Sequence, residues 1–265
     1  MNRITSRSNP TVLEIAKLRD KKYRQETGLF LADGIKLFEE ADQSGAPFEK
    51  LILSDSGMEK FGDKYRALFE KYDILPVSDA VFDKISEEKS PEGVISVLRV
   101  LDKLHKNTTI YNGTNEGGVR FILSSIRDPG NLGTMLRSAA AFGIDELILS
   151  SDCAELYNPR TLRAAMGAVF RQKVTIAENL AASVRSLNAA GCPVYAALPD
   201  SRAKPFEQID GRVVYAIGNE GHGLDRGLID ACAGTVYIPM AAGTESLNAA
   251  AAAAILMYDA GMRRG

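Results

Sequence analysis

The sequence predicts an α/β fold in two domains: a smaller N-terminal α/β domain, then a C-terminal domain built on a parallel sheet with helices on both faces. Three observations predict this. Short apolar strand patterns alternate with helical patterns along the chain, which is typical of βαβ units. A chain of 265 residues is long for a single domain. Finally, the polar, glycine- and asparagine-rich residues 106–118 interrupt the pattern where arginine replaces lysine as the main basic residue, which indicates a linker.

The first domain is predicted to span residues 1–105. Pro10 is expected in the first turn of a helix, because its fixed φ suits that position and apolar residues follow at helical spacing. Asp33 and Gly34 mark the turn from the first strand into the next helix. The remaining elements are strands at residues 29–32, 51–53, 74–77 and 94–100, and helices at 35–41, 58–72 and 79–88.

The second domain is predicted to span residues 119–265. Its strands are almost wholly apolar, which indicates a parallel sheet that is covered on both faces. The strands are expected at residues 120–125, 146–150, 194–198, 213–217 and 235–238, and the helices at 132–142, 159–170, 180–190, 224–232 and 246–260. Ligands of such sheets bind beyond the carboxyl ends of the strands, so the loops there are the expected place for a site.

Composition excludes several classes of protein. The formal net charge of -2 excludes a polybasic protein that binds nucleic acid by bulk charge, although a local basic patch remains possible. Three cysteines and two histidines are too few for a disulfide framework or an ordinary zinc site, so free thiols and no metal are expected. The N-terminus lacks the apolar core of a signal peptide and no apolar run suits a membrane span, so we expect a cytoplasmic protein without membrane contact.

Three loops after predicted strands carry unusual residues. In the first, Asn131 is expected to cap the following helix, and Arg137 on that helix would need an anionic or carbonyl partner if buried. In the second, Gly218, Gly221 and Gly223 surround Glu220; their spacing fits neither a Rossmann fingerprint nor a P-loop. The third covers residues 238–248 and leads into an alanine-rich helix. Taken singly, each loop is a weak signal, because a structural turn or a helix cap also explains it.

Together, the three loops resemble the motifs of the SpoU/TrmH family of RNA ribose 2′-O-methyltransferases in the SPOUT superfamily. Asn131, Gly133 and Arg137 match N-x-G-x-x-x-R, residues 217–223 match I-G-N-E-x-x-G, and residues 238–240 with 246–248 match I-P-M and S-L-N. This resemblance covers residues 119–262. Residues 17–34 and 90–97 resemble the family's substrate-binding domain more loosely; that domain is itself similar to ribosomal proteins that bind kinked RNA.

The resemblance implies a deep trefoil knot, a homodimer and S-adenosylmethionine as methyl donor, bound without a metal. The residues implied to hold the donor are Leu198, Pro199, Gly218, Asn219, Gly223, Ile238, Pro239, Met240 and Leu247. The implied catalytic residues are Arg137, Glu220, Ser246, Asn248 and Asn131. Arg137 is either a general base or, because a guanidinium stays charged, a group that holds phosphate and stabilises a developing alkoxide. In this scheme Asn131 positions Arg137 or the ribose, and Glu220 orients Arg137.

A basic cluster occupies the N-terminus. Residues 1–24 hold seven basic and two acidic side chains. The cluster is either a solvated helix face or, as the resemblance implies, a contact for the RNA backbone. The residues expected to contact RNA are Arg7, Lys17, Lys21, Lys22 and Arg24. Tyr23 and Phe30 are expected either to pack in the core or to stack on a base.

The resemblance favours methylation of large-subunit ribosomal RNA, because the shorter transfer-RNA enzymes of the family mostly lack such an N-terminal domain. Three alternatives stay open at this point: a transfer RNA 2′-O-methyltransferase, a non-catalytic ribosome-assembly factor with the same fold, and an enzyme that methylates a ribosomal drug site. The sequence does not identify the target nucleotide, nor whether the substrate is naked RNA or a precursor particle.

Overall fold

The structure is a computed structural model that describes residues 3–101, 118–219 and 221–263. The predicted end of the first domain at residue 105, the linker up to residue 117, and Glu220 lie outside the described residues. The chain forms two compact units, one of Met1–Asp102 with Tyr157–Phe170, the other of Lys103–Leu156 with Arg171–Gly265. The division into domains at residues 105 and 119 stays a prediction, and packing adds residues 157–170 to the first unit.

The first unit is an α/β sandwich around a four-stranded sheet in the order β1-β4-β2-β3. Strand β4 runs antiparallel to both of its neighbours, and β2 and β3 are parallel. The strands are β1 (Leu29–Asp33), β2 (Phe48–Ser54), β3 (Ile74–Val77) and β4 (Val94–Arg99), and the helices are α1 (Pro10–Ala16), α2 (Lys21–Thr27), α3 (Ile35–Gln43), α4 (Asp55–Phe69) and α5 (Asp79–Ile85). Alternate residues of β2 enter two separate clusters, Ile52 on one face and Leu51 and Leu53 on the other, as the period of a strand requires.

Phe30 belongs to the core and not to an RNA surface. Its ring is fully buried and lies 4.2 Å from the ring of Tyr157, centroid to centroid. The hydroxyl of Tyr157 accepts a hydrogen bond from the backbone N–H of Leu101 at 3.1 Å. The segment Tyr157–Phe170 therefore helps to complete the core of the first unit.

The second unit contains a seven-stranded sheet that is parallel throughout, in the order β7-β6-β5-β10-β8-β11-β9. This confirms the predicted parallel sheet; the trefoil knot remains an expectation from the family resemblance. The strands are β5 (Arg120–Leu123), β6 (Glu146–Ser150), β7 (Lys173–Ala177), β8 (Val194–Ala197), β9 (Lys204–Pro205), β10 (Val214–Ile217) and β11 (Gly234–Tyr237). The helices of this half of the chain are α6 (Pro129–Ala141), α7 (Pro159–Ala165, in the first unit), α8 (Leu180–Ala189), α9 (Arg226–Ala231) and α10 (Ala249–Met262).

Strands β7 and β9 were not predicted, and both are edge strands. An edge strand contacts one neighbour only, so β7 keeps polar and half-exposed residues and lacks the apolar run that marks the central strands. Strand β9 has two residues, too few for any periodicity. Helix α2 was also not predicted, because only Arg24 of its residues is buried. The three cysteines are free and partly buried, as predicted.

Helix α10 is fastened to the sheet at its carboxyl end. The Asp259 carboxylate accepts hydrogen bonds from the buried Tyr215 hydroxyl at 2.7 Å and from the Arg263 Nε at 2.6 Å. Burial, and then this hydrogen bond, raises the pKa of Tyr215 far above its usual value, so the hydroxyl stays a donor. Arg263 also donates to the carbonyls of Phe206 and Ile209. The cluster thus joins α10, β10 and residues 206–209.

Asp259→Ala is expected to lower the free energy of unfolding by about 2–3 kcal/mol, because the buried Tyr215 hydroxyl loses its acceptor and Arg263 its partner. Chemical denaturation measures the change. Tyr215→Phe is the matched control. It removes a donor but leaves no buried polar group without a partner, so it should lower the free energy of unfolding by about 1 kcal/mol or less. Equal losses for the two variants would contradict this account.

Candidate active site

The loop after β10 is a tight hairpin that requires glycine at two positions. A Cβ on Gly218 would lie 2.2 Å from the carbonyl carbon and oxygen of Gly223, a distance at which the backbone must move. Gly223 has a φ of +65°, which favours glycine. Its N–H donates to the Asn219 carbonyl at 2.8 Å. The Asn219 side-chain Oδ1 accepts from the N–H groups of Gly221 at 2.7 Å and His222 at 3.1 Å, which closes the loop from within.

The loop before α10 ends in an asparagine cap. The Asn248 Oδ1 accepts from the N–H groups of Ala250 at 2.9 Å and Ala251 at 3.2 Å. The helix begins at Ala249, so the predicted start at residue 246 was three residues too early. Ser246 is exposed in the loop that precedes the helix. Serine and asparagine are both common caps, and here Asn248, not Ser246, accepts the hydrogen bonds of the first N–H groups.

The loop after β5 differs from the prediction at its cap. Asp128, not Asn131, is the N-cap of α6, and its Oδ1 accepts from the Asn131 N–H at 2.8 Å. The aspartate precedes Pro129, which occupies the first helical position, so Asn131 falls inside the first turn. Its side-chain Oδ1 accepts a hydrogen bond from the Asn248 Nδ2 at 3.2 Å. The first and third loops therefore meet at two predicted site residues.

Arg137 lies on the exposed side of α6. Its guanidinium makes no hydrogen bond or ion pair with any residue in the described ranges, so none of those residues neutralises it. The proposed pairing with Glu220 concerns a residue outside the described ranges. An exposed guanidinium keeps its five donors for an external anion.

A cleft of about 510 Å³ lies beyond the carboxyl ends of β8, β10 and β11. Eight of the nine residues predicted to hold the cofactor line it; Pro239 does not. Of the described catalytic candidates, Ser246 lines the cleft, whereas Asn131, Arg137 and Asn248 do not. The further lining residues, which the sequence reasoning missed, are Ala197, Ile217, Gly221, His222, Leu224, Glu245, Ala249 and Ala252. Glu245 directly precedes the S-L-N motif, and its position beside that motif is a sequence signal that could have predicted its place in the cleft.

The chemistry of the cleft suits an organic cofactor. Its volume falls in the range of about 300–1,000 Å³ that is usual for small-molecule pockets. Leu198, Ile238 and Leu247 offer apolar walls, and the glycine loop brings backbone close to a ligand. Glu245 is the one carboxylate among the described lining residues. The described ranges contain no group of three or more His, Cys, Asp or Glu side chains that could hold a metal, and no helix there is long and apolar enough to cross a membrane.

The five basic residues that were predicted to contact RNA fall into two groups. Arg7, Lys17, Lys21 and Lys22 are exposed. Lys17 pairs with Glu14 at 2.7 Å, and Arg7 donates to the Ala80 carbonyl at 2.7 Å. Arg24 is 4% exposed, which corrects its assignment as an RNA contact. Its guanidinium donates to the carbonyls of Leu18 and Arg19 at 2.8 and 2.6 Å, so a buried charge is satisfied by backbone.

Asn248→Ala is expected to cost about 1 kcal/mol of stability through loss of the cap. If the contact with Asn131 also positions the site, turnover falls about tenfold to a hundredfold. Asn248→Asp separates the two roles, because a carboxylate still caps the helix but cannot donate to Asn131. Denaturation curves and single-turnover rates measure the two effects. If the Asp variant turned over like wild type, Asn248 would act only as a helix cap and its contact with Asn131 would not affect the reaction.

A parallel α/β sheet with a glycine-lined cleft at its carboxyl edge is typical of α/β proteins that bind an organic cofactor, and this chain has that architecture. Residues 118–258 match the SpoU rRNA Methylase family, and residues 9–96 match the MRM3-like substrate binding domain. The chain therefore belongs to the SpoU rRNA methylase family, whose relatives are RNA ribose 2′-O-methyltransferases.

Individual relatives match over almost the whole chain. The 23S rRNA (guanosine(2553)-2′-O)-methyltransferase RlmP of Bacillus subtilis is 32% identical, over 97% of this chain and 98% of its own. The AdoMet-bound rRNA methyltransferase from Sinorhizobium meliloti is 31% identical with a TM-score of 0.82, over 98% of this chain and 97% of its own. An RNA 2′-O ribose methyltransferase structure is 29% identical with a TM-score of 0.83, over 99% of both chains.

Proposed function

We propose that this protein transfers a methyl group from S-adenosylmethionine to a ribose 2′-hydroxyl of large-subunit ribosomal RNA. The observation that carries the proposal is the meeting of the three motif loops at one edge of the parallel sheet, with Asn131 bonded to Asn248 and the glycine loop lining the cleft. The Bacillus subtilis relative, named for a guanosine of 23S rRNA, supports this substrate. The location would then be the cytoplasm, as the sequence predicts.

The cleft residues suit the adenine of the methyl donor. Leu198, Ile238 and Leu247 would pack against the adenine, while backbone groups near Gly218 would hydrogen-bond its edge. Pro199, Asn219, Gly223 and Met240 also line the cleft and complete the proposed donor site. Pro239 does not line the cleft and belongs to the proposed site on the family resemblance alone. When bound, the sulfonium supplies an activated methyl group. The task of the chain is to align it with the 2′-oxygen.

The proposed catalytic residues act on the RNA side of the transfer. In the reaction the 2′-oxygen bonds to the methyl carbon as the carbon–sulfur bond breaks, the sulfur leaves with the electron pair of that bond as a neutral thioether, and the proton of the 2′-hydroxyl passes to solvent water. Arg137 would hold the neighbouring phosphate and stabilise the developing 2′-alkoxide, because its charge has no internal partner among the described residues. Asn131, held by Asn248, would position the ribose or Arg137. Ser246 and Glu220 complete the cluster on the family resemblance.

The first unit is proposed to bind the RNA backbone. Its match to a substrate binding domain supports this role, as do the exposed side chains of Arg7, Lys17, Lys21 and Lys22. Ammonium and guanidinium groups at such a surface bind phosphate and release counterions, so affinity should fall steeply with salt. Arg24 is not included, because its guanidinium is buried.

A homodimer is proposed from the exposed face of α10. Ala251, Ile255, Tyr258 and Met262 recur at helical spacing and are all exposed, Tyr258 to 55% and Met262 to 70%. An apolar stripe of this kind is typical of a helix that packs against a partner. The same helix packs on α6, which carries Arg137: at Gly261 an added Cβ would lie 2.3 Å from the Phe142 carbonyl oxygen. A second copy would therefore approach the proposed catalytic helix.

Tyr258→Glu is expected to convert the dimer to a monomer and to abolish methylation, since a charge on the stripe opposes a two-fold contact. Light scattering after gel filtration measures the mass. Leu13→Glu, at an apolar residue of the first unit that is also exposed (39%), is the control and should leave the mass unchanged. A wild-type protein that runs as a monomer at micromolar concentration would refute the dimer.

The function itself is tested with purified protein, labelled S-adenosylmethionine and ribosomal RNA from a strain that lacks the gene. We expect label in large-subunit RNA, and a 2′-O-methyl site present in the parent strain but absent from the deletion strain. Label in transfer RNA instead would identify the alternative substrate. An unchanged methylation map together with RNA binding would indicate a non-catalytic assembly factor and refute the proposal.

A further inference from the structure

A hydrogen-bonded cluster lies where β5 and β6 end, outside the three motifs. The Asp152 carboxylate accepts hydrogen bonds from Ser150 Oγ at 2.6 Å, from Ser125 Oγ at 2.7 Å and from Arg127 Nη2 at 3.3 Å. The bond from Ser150, followed by those from Ser125 and Arg127, holds the pKa of Asp152 below its usual range against the opposing effect of burial. The carboxylate therefore stays an acceptor at neutral pH.

Ser125 has a backbone conformation that a serine rarely adopts. Its φ is +55°, and Met166 is the other non-glycine residue with positive φ in the described ranges. Such a conformation is unfavourable for an L residue and persists only when its surroundings hold it. Here the Ser125 N–H donates to Ser150 Oγ at 2.7 Å while its hydroxyl donates to Asp152. Asp152 also holds Ser150, so both restraints depend on this carboxylate.

The carbonyl of Ser125 connects this cluster to the cleft. It accepts a hydrogen bond from Asn219 Nδ2 at 3.2 Å. The other end of the same amide, Oδ1, accepts from the N–H groups of Gly221 and His222, which line the cleft. The direction of the Ser125 carbonyl follows from its backbone torsions. A change of those torsions would therefore release the Asn219 amide and, with it, the glycine loop.

We infer that Asp152 is a positioning residue for the methyl-donor cleft: it holds Ser125 in the left-handed conformation, so that the Ser125 carbonyl fixes Asn219 and, through the Asn219 amide, the N–H groups of Gly221 and His222. The identity of the ligand rests on the proposed function. The ordering of the loop does not rest on that function, because every hydrogen bond in the chain from Asp152 to His222 lies within the protein. Asp152 acts through Ser125 and is not among the residues that line the cleft.

Glycine at residue 125 provides the decisive test, because glycine adopts positive φ without the penalty of a side chain. Asp152→Ala should speed amide hydrogen exchange across residues 218–224 in the ligand-free protein. It should also weaken S-adenosylmethionine binding about tenfold, which equals about 1.4 kcal/mol. Ser125→Gly alone should bind like wild type. The double variant Asp152→Ala with Ser125→Gly should recover wild-type exchange, and binding to within about threefold of wild type.

Asp230→Ala is the matched control, because this aspartate is exposed on α9 and pairs only loosely with Arg226 at 3.9 Å. It should change neither readout. Unaltered exchange in Asp152→Ala would overturn the inference. A double variant as impaired as Asp152→Ala would also overturn it, since the carboxylate would then act by general stability or through Arg127.

Two further arms keep the test decisive. If the alanine variant does not fold, Asp152→Asn replaces it; with one acceptor oxygen left, its exchange should be intermediate and again restored by Ser125→Gly. If wild type binds no S-adenosylmethionine while Asp152→Ala still speeds exchange of the loop, the proposed function fails and the positioning role stands.

Discussion

Arg137→Ala is expected to lower methyl transfer by a factor of about 10²–10³ or more, the loss that follows removal of a donor that stabilises transition-state charge. The affinity for S-adenosylmethionine should stay within about threefold of wild type, because Arg137 is not among the residues that line the cleft. Single-turnover rates with saturating RNA measure the first quantity, and calorimetry measures the second.

Two further variants make the result specific. Arg137→Lys keeps the charge but loses the fork that grips a phosphate, so most of the activity should remain absent. Arg185→Ala removes an arginine that is also exposed, on α8 of the same unit, and should leave turnover unchanged. Turnover of Arg137→Ala within tenfold of wild type would mean that the arginine does not act on the reacting groups.

Gly218→Ala is expected to abolish measurable binding of S-adenosylmethionine. The added Cβ would lie 2.2 Å from the Gly223 carbonyl carbon and oxygen, and backbone cannot rotate away as a flexible side chain can. The hairpin must therefore open, and the wall of the cleft moves with it. Overpacking of this kind costs about 1–3 kcal/mol of stability, so the protein should still fold.

Gly227→Ala is the matched control for this substitution. Its Cβ would meet only the Asp225 carboxylate oxygen, at 3.1 Å, and its position in α9 favours alanine. Calorimetric binding and thermal melting should both remain near wild type. If Gly218→Ala bound the methyl donor as well as Gly227→Ala does, the hairpin would not shape the donor site.

The candidate site was largely predictable, and the reason is topological. Parallel strands end at one edge of a sheet, so loops that follow different strands must lie near one another there. Most of the residues proposed from the motifs for donor binding therefore line one cleft. Contacts between loops were less predictable. The bond between Asn131 and Asn248 joins residues 117 positions apart, and no local pattern encodes such a distance.

Local rules also failed where tertiary packing overrode them. Asn131 was expected to cap α6, but Pro129 set the first turn and left the cap to Asp128. Arg24 was expected at the RNA surface because it belongs to the basic cluster of residues 1–24, yet two backbone carbonyls satisfy its charge in the interior. Residues 157–170 follow the second-domain pattern in sequence but pack with the first unit, since the ring of Tyr157 completes the core around Phe30.

By itself, the sequence determined the class of the sheet, the order of its main elements and the three loops of the site. Apolar runs, glycine positions and helix caps are local properties, and their physical basis is a residue's own conformational range and its immediate neighbours. Only the tertiary structure decided which charges are free, which residue caps α6, and that Ser125 adopts a left-handed conformation beside Asp152. Those features depend on burial and on partners distant in the chain, since a charge is buried, or a strained torsion held, only when the rest of the fold supplies its hydrogen bonds.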